Sequence, residues 1–541
     1  MLHRLSLRLL TLGVAASLAV AAPASATTAH STDGPSGTTD HAVARKALAQ
    51  AKAMFAGTRT SPGFARGTTM PATAPDGRDA TMVLTRLAHH LDDLASADDR
   101  QAAKALLARP TYGGSPAEGE HSYQVPEQTP DCSTTVPVCI HYVTSTADAV
   151  SGVDTDANGI PDYVDTTLAT LEHVWATEVT GMGYRQPQSD SWLTDNGGDG
   201  RLDVYLQDLA TKTYGLYGYC APDTNAVQTP GYCVLENNYA ESVFGNHTPV
   251  ENLEVTAAHE FFHAVQFAYN SYQDEWLMEG TAAWMEDEVY SSINDNRQYL
   301  AASPLSRSWH PLDHGDYTDP YFPPYGSWIF WRFLSESYGR GTSDDPGIVK
   351  EVWRRAPRVY STTALRRTLA AHGSSFRTAF ARFGTWSRNP ARYFREGHAY
   401  RAARLSHSTF TLTRSALSTG NRTTHIDHMA QRYYRFVPGS SLTGKWHLRL
   451  SVDMADTSRG SLAQVSVHWR SGALTVVPID LDKHGSGHKS VAFDPSRVSS
   501  VELDMLNDST RFACYQGSDE TCGGYAYDDG RTDVFRATAW R

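Results

Sequence analysis

Residues 257–263 read Ala-Ala-His-Glu-Phe-Phe-His, and no other feature limits the fold of this chain so tightly. Histidines four apart leave the same face of a helix, one turn above the other. The stretch is expected to be helical, and on a helix both imidazoles face one point. Two nitrogens so placed can fill two corners of a tetrahedron around a zinc ion. Glu260 stands beside His259, where its carboxylate reaches a water on such an ion and can take its proton. Phe262, Val265 and Tyr269 form the opposite stripe, which faces a core. The competing reading is a buried helix with two hydrogen-bonded histidines.

The next segment offers a third ligand. In Trp276-Leu277-Met278-Glu279-Gly280-Thr281-Ala282-Ala283-Trp284 a carboxylate sits among small residues. Gly280, Ala282 and Ala283 let a second helix approach the first, so that Glu279 completes a His₂Glu set with one position left open. HExxH followed by WLxEGxA resembles the gluzincin metallopeptidases, which include thermolysin and the zinc aminopeptidases. The stretch from about 200 to 340 is similar to a group of secreted bacterial metallopeptidases with HEFFHAVQ and EGTAxWMEDxVY blocks. The resemblance implies a zincin-like fold, zinc on His259, His263 and Glu279, and Glu260 as catalytic base. Only 15 residues lie between His263 and Glu279, a few fewer than in thermolysin or the aminopeptidases, so the linking loop is short. Glu275 and Glu286 are the fallback ligands, without the EGxA neighbourhood. Gln266 and Tyr269 stand where a metzincin needs Gly and His.

Peptide hydrolysis also needs a donor for the oxyanion. Pro324-Tyr325-Gly326-Ser327, leading into a helix, resembles the aminopeptidase segment that carries a tyrosine for this role. Tyr325 is the first candidate and Tyr321 the second; the alternative is that both pack in an aromatic loop. Tyr232–Asn237 reads as an edge strand, which pairs with an extended peptide, so Leu235 and Glu236 are expected to bind substrate main chain. Leu235-Glu236-Asn237 also resembles the end of the aminopeptidase amine-binding motif, which keeps an exopeptidase reading open.

A second metal pattern lies upstream. Asp154, Asp156, Asn158 and Asp162 occupy positions 1, 3, 5 and 9 of an EF-hand-type loop, with Gly159 at 6 and Asp165 at 12. They are candidate ligands of a structural calcium ion; an unfilled acidic turn is the alternative. Asp195–Asp203 is similar, but Gly197 replaces the position-3 ligand, and a Gly-rich hairpin turn accounts for it equally well. The six cysteines fall into three local couples, Cys132/Cys139, Cys220/Cys233 and Cys514/Cys522. In an exported chain these are expected to be disulfides.

Export is read from residues 1–26: Arg4 and Arg8, then apolar Leu9–Val20, then the small-residue cleavage site Ala24-Ser25-Ala26. The protein is thus expected to be secreted and extracellular. No later run of about 18 apolar residues would make a transmembrane anchor. A formal charge of −12 argues against a nucleic-acid partner, which calls for a basic footprint.

A chain of 541 residues exceeds one ordinary core. Residues 27–120 form a Cys-free helical region, with helices over Ala42–Phe55 and Met82–Leu107. It is either a propeptide that blocks an active site or a cap that stays attached. Residues 126–400 mix short strands with the long helices Val250–Tyr269 and Glu275–Tyr290, an α+β pattern. Residues 405–541 alternate apolar and polar positions, as in Trp446, Leu448, Leu450 and Val452, which predicts an antiparallel β-sandwich. The combined expectation is a secreted zinc peptidase acting on peptide or protein substrates through metal-activated water. The alternative is a zincin-fold binding or adhesion protein with lost catalysis, which has no need of Glu260. Nothing in the sequence speaks to oligomeric state.

Overall fold

The computed structural model describes residues 38–55, 80–113, 121–212, 215–315, 323–339 and 347–541. The leader read at 1–26 and Tyr321 lie outside them. The described chain is mixed α and β. Three helices come first: α1 (Thr38–Phe55), α2 (Thr81–His89) and α3 (Ala97–Leu106). The single helix expected over Met82–Leu107 is therefore broken. Leu94 turns extended, and Ser96 starts the next helix by accepting the Asp99 N–H at 2.9 Å.

A five-stranded sheet follows, built from β1 (Asp131–Cys132), β2 (Val138–His141), β3 (Leu202–Gln207), β4 (Gly218–Pro222) and β5 (Gly231–Glu236). The order is β1-β2-β3-β5-β4. β2, β3 and β5 run parallel, while β1 and β4 lie antiparallel at the two edges. Every residue of β3 and β5 is buried, as expected of strands covered on both faces. On one face, Ile140, Val204, Leu206 and Leu235 join a core with α4 (Asp162–Trp175) and α5 (Pro249–Phe267). On the other, Tyr205, Tyr219, Tyr232 and Val234 pack with Phe55, Ala80 and Leu84 of the N-terminal helices.

The expectation that Tyr232–Asn237 is the edge strand is corrected here. β5 lies between β3 and β4 with both sides paired, so Leu235 and Glu236 have no free edge to offer a peptide. Glu236 is buried and accepts the N–H groups of Leu209 at 2.6 Å and Ala210 at 2.8 Å. The edge is β4, whose Gly-Tyr-Cys-Ala-Pro shows no alternation that would mark a strand.

Arg109 ties the N-terminal region to this sheet. It is 2% exposed, beside Asp190 at 2.6 Å, Asp223 at 3.0 Å, and Asp203. Asp203 also takes His141 Nε2 at 2.9 Å.

Besides one-turn helices, five further helices follow among the described residues: α6 (Glu275–Val289), α7 (Trp328–Tyr338), α8 (Gly347–Arg355), α9 (Ser361–Ala371) and α10 (Phe376–Arg388). α6 is buried all round from Glu275 to Asp287.

The C-terminal strands are β6 (Phe410–Leu412), β7 (Arg422–His425), β8 (Ala430–Pro438), β9 (His447–Asp453), β10 (Ser461–Trp469), β11 (Leu474–Ile479), β12 (Ser486–Ala492), β13 (Val498–Asn507), β14 (Phe512–Ala513), β15 (Tyr525–Ala526) and β16 (Thr532–Trp540). They form one sheet in the order β11-β10-β13-β8-β6 and another in the order β12-β9-β16-β7. Phe436, Val465 and Leu503 of the first share a core with Leu450, Phe535 and Ala537 of the second. The pairing is antiparallel except at β6, which runs parallel to β8. β14 and β15 form a separate ribbon.

Cys132–Cys139 joins β1 to β2, Cys220–Cys233 joins β4 to β5, and Cys514–Cys522 closes a loop after β14. Among the described residues, no helix is long and apolar enough to cross a membrane.

Candidate metal centre

The first two candidate donors depend on how α5 begins. Thr248 accepts the Glu251 N–H at 3.2 Å, and Glu251 reaches back to the Thr248 N–H at 2.9 Å. This reciprocal cap, with Pro249 in the first turn, sets where the helix starts. It carries His259, Glu260 and His263 into the interior, all at most 4% exposed.

α6 brings the third donor. A Cβ on Gly280 would sit 2.1 Å from Ser327 Oγ and 2.7 Å from Trp331 Nε1. Only glycine lets α6 approach the start of α7 this closely. Gln266, three residues after His263, donates to Met278 O at 2.8 Å and Thr281 Oγ1 at 3.2 Å. It thereby fixes α6 against α5.

The donors converge. Glu279 Oε2 lies 3.2 Å from His259 Nε2 and 3.5 Å from His263 Nε2. The three ligand atoms all lie within 4.8 Å of one another, and all three residues are buried. The outer nitrogens are already engaged. His259 Nδ1 is 2.7 Å from Glu286 Oε1, and His263 Nδ1 is 2.7 Å from Gln266 Oε1. Both partners are acceptors, so each Nδ1 carries the proton and each Nε2 turns its lone pair inward. A carboxylate or amide behind a histidine in this way orients it as a metal ligand. The donor set thus fits a metal that favours nitrogen and oxygen in tetrahedral geometry, zinc among them.

Glu286 and Glu275 were fallback ligands, and both stand elsewhere. Glu286 supports His259 from behind, and Glu275 pairs with Arg86 of α2. Glu286 and Asp287 are buried, and Arg332 of α7 pairs with Asp287 and Glu288.

A small cavity with room for about one water lies beside these groups, lined by Tyr217, Thr256, His259, Glu260, Tyr299 and Tyr325 among others. Tyr325 sits in a one-turn helix (Pro323–Gly326) and stacks on Tyr299 with ring centres 4.9 Å apart. Its ring lies 5.5 Å from that of His259. Glu260 faces the same cavity, and its Oε2 accepts a hydrogen bond from Thr81 Oγ1 at 3.1 Å. Neither Thr81 nor β4 was marked by the sequence reading. Glu178 was also missed. It lies fully buried in a π-helical turn (Ala176–Gly181), with neither carboxyl oxygen hydrogen-bonded. Burial pushes its carboxyl well above the usual range, against the pull of His259 and His263.

The calcium pattern behaves differently. Asp154 accepts the Gly159 N–H at 3.0 Å, Asp156 that of Asn158 at 3.0 Å, and Asp162 that of Thr155 at 2.8 Å. Asn158 Oδ1 accepts from Ile160, and its amide lies 3.3 Å from Asp165. These bonds use most of the loop's oxygens, Asp154 Oδ1 being buried without a hydrogen-bond partner, and its acids are not among the convergent groups of the described residues. In the second loop a Cβ on Gly197 would lie 2.2 Å from Asp203 Oδ2. His428, Glu520 and Asp529 do converge, but both His428 nitrogens are taken, by Asp313 at 2.8 Å and Asp529 at 2.9 Å.

No protein-family model and no curated relative matches the chain. Among solved structures, one similarity is to CorA, a surface-associated copper-binding protein of Methylomicrobium album BG8. It has 10% identity and a TM-score of 0.15, over 25% of this chain and 99% of that one. Another is to BtGH115A, a family GH115 4-O-methyl-alpha-glucuronidase, with 10% identity and a TM-score of 0.15, over 66% of this chain and 54% of that one. At such scores neither likeness bears on fold or function.

Proposed function

We propose that the chain is a secreted zinc-dependent peptidase of gluzincin type, with a zincin-like domain built around the five-stranded sheet. The convergence of His259, His263 and Glu279 with Glu260 beside them carries this reading. A bound zinc ion would supply Lewis acidity, polarising the scissile carbonyl and acidifying water. Glu260 takes the proton from the attacking water and returns it to the leaving amine. Tyr325, lining the same cavity, presents a hydroxyl to the oxyanion. Glu286 and Gln266 hold the imidazoles in the donating tautomer. The three disulfides and the absence of a spanning helix among the described residues accord with secretion. The exopeptidase variant loses its residue support, because Glu236 is committed to backbone N–H groups.

The test measures metal content and cleavage separately. Purified chain should hold about one zinc, lost in His263→Ala and Glu279→Ala and kept in Glu260→Gln. Casein cleavage should be chelator-sensitive and absent in Glu260→Gln. Zinc that stays bound after both ligand substitutions, or cleavage that survives Glu260→Gln, would refute the assignment.

A further inference from the structure

The approach to Glu260 is taken by another part of the same chain. Thr81, the first residue of α2, is fully buried. Its hydroxyl donates to Glu260 Oε2 at 3.1 Å and accepts the Cys220 N–H of β4 at 2.8 Å. In a working peptidase these two groups have other partners. A general base holds water, and the N–H of an edge strand holds the carbonyl of an added peptide strand. One side-chain oxygen here satisfies both.

We infer that α2 is an internal plug, with Thr81 standing where water and substrate main chain would meet, and that the chain as folded keeps only residual activity while α2 is seated. This rests on the peptidase reading above. The plug is fitted along its length. Ala80 and Leu84 pack with Tyr219 and Ala221 of β4, which is buried although it is an edge strand. Arg86 pairs with Glu275 at the start of α6, and with Asp519 at 3.1 Å in the loop closed by Cys514–Cys522. α2 therefore touches both helices that carry the metal donors, the strand beside them, and the C-terminal region. A plug that contacts each wall of a cleft closes it by position, without a cysteine ligand, and Cys132 is the first cysteine of the chain.

The test uses the full chain as wild type, Thr81→Asp, Thr81→Val and Thr81→Ser. Aspartate sets a second carboxylate against Glu260; valine removes the hydroxyl without adding charge; serine keeps it. Three readouts are taken: deuterium uptake by β4, affinity of zinc-loaded protein for a peptide hydroxamate, and casein cleavage. Thr81→Asp should raise β4 uptake, hydroxamate affinity and cleavage roughly tenfold or more. Thr81→Val should move all three the same way by roughly threefold, which keeps the test alive if the aspartate variant does not fold. Thr81→Ser should match wild type. Zinc-loaded protein with equal hydroxamate affinity in wild type and the Asp and Val variants overturns the plug. Tighter hydroxamate binding without casein cleavage keeps the plug and removes the peptidase reading. If no variant takes up zinc, that reading falls, and β4 uptake alone decides the plug: faster supports it, unchanged overturns it.

Discussion

Two arginines hold the N-terminal region to the rest of the molecule, and they do so in unlike ways. Arg109 is 2% exposed and meets Asp190, Asp203 and Asp223, each at most 7% exposed. Arg86 is 18% exposed and meets Glu275, 8% exposed, and Asp519, 25% exposed. A charge in the interior cannot leave without stranding its partners, whereas a charge at the rim can trade its partner for water. If α2 is a plug, the N-terminal region is a permanent layer of the sheet at its Arg109 end and an exchangeable cover at its α2 end. The sequence alone left propeptide and cap as alternatives. On the plug reading, each takes a different stretch of the same segment.

The largest expected effect comes from the interior anchor. Arg109→Met leaves three buried carboxylates without their cation and should cost about 3–5 kcal/mol. A fall in Tm of about 3–5 °C, little changed by salt, is the expected readout by calorimetry. A loss of under about 1 kcal/mol would make Arg109 no more than another rim contact. The same contrast can be probed at the metal centre, where Glu286 is a buried partner of His259. Glu286→Gln keeps the shape but weakens the hold on Nδ1–H. Zinc affinity, measured by competition with a chelator, should fall roughly 10- to 100-fold while the fold survives. Unchanged affinity would mean that α5 alone orients His259.

What the sequence revealed followed from short-range geometry. His259 and His263 share a face because helical spacing puts them there, and Gly280 next to Glu279 signals a close helix crossing. The cysteine couples close because each lies across a strand pair or a tight loop. What it hid depended on distant partners. β5 has the apolar run of an edge or a central strand alike, and only its neighbours settle which. β4 has no alternation, since Gly218 must leave room for Glu260, 3.0 Å from where its Cβ would be. The acidic run after Met285 is buried because Arg332 reaches it from another helix. Thr81 meets Cys220 across 139 residues, and nothing local marks either.

The buried cluster also sets a pH slope. Burial pushes Asp223 up to about 7 and Asp190 up to about 6, against the pull of Arg109. A carboxyl raised on folding binds its proton more tightly in the folded state. Its contribution is full below about pH 4 and is lost as pH rises through those two values. His428 acts in the same direction. Burial opposes its charge, but Asp313 and Asp529 overcome that and hold the imidazolium well above the usual histidine value. Its contribution is full below about pH 6.5 and is lost as pH climbs past the folded value. Tm should therefore be higher near about pH 6 than near about pH 8.5, and Asp223→Asn should flatten part of that slope. A Tm that climbs over this interval would show that Asp190 and Asp223 are already ionised, and His428 neutral, in the fold.

The rim anchor should give the smallest change in stability and the clearest change in access. Arg86→Ala leaves Glu275, itself 8% exposed, without its cation but opens it to water, so its cost should be about 1–2 kcal/mol, well below that of Arg109→Met. Its consequence lies in α2, whose far end holds Thr81 on Glu260. Loosening Arg86 should raise deuterium uptake by β4 about two- to threefold, and salt at about 0.5 M should do the same to wild type. Salt should add nothing to the variant, because the interaction it screens is already gone. If Arg86→Ala instead lowers Tm as far as Arg109→Met does, the two ends of the segment are one structural unit. α2 would then be a fixed layer of the sheet and could not serve as an exchangeable cover.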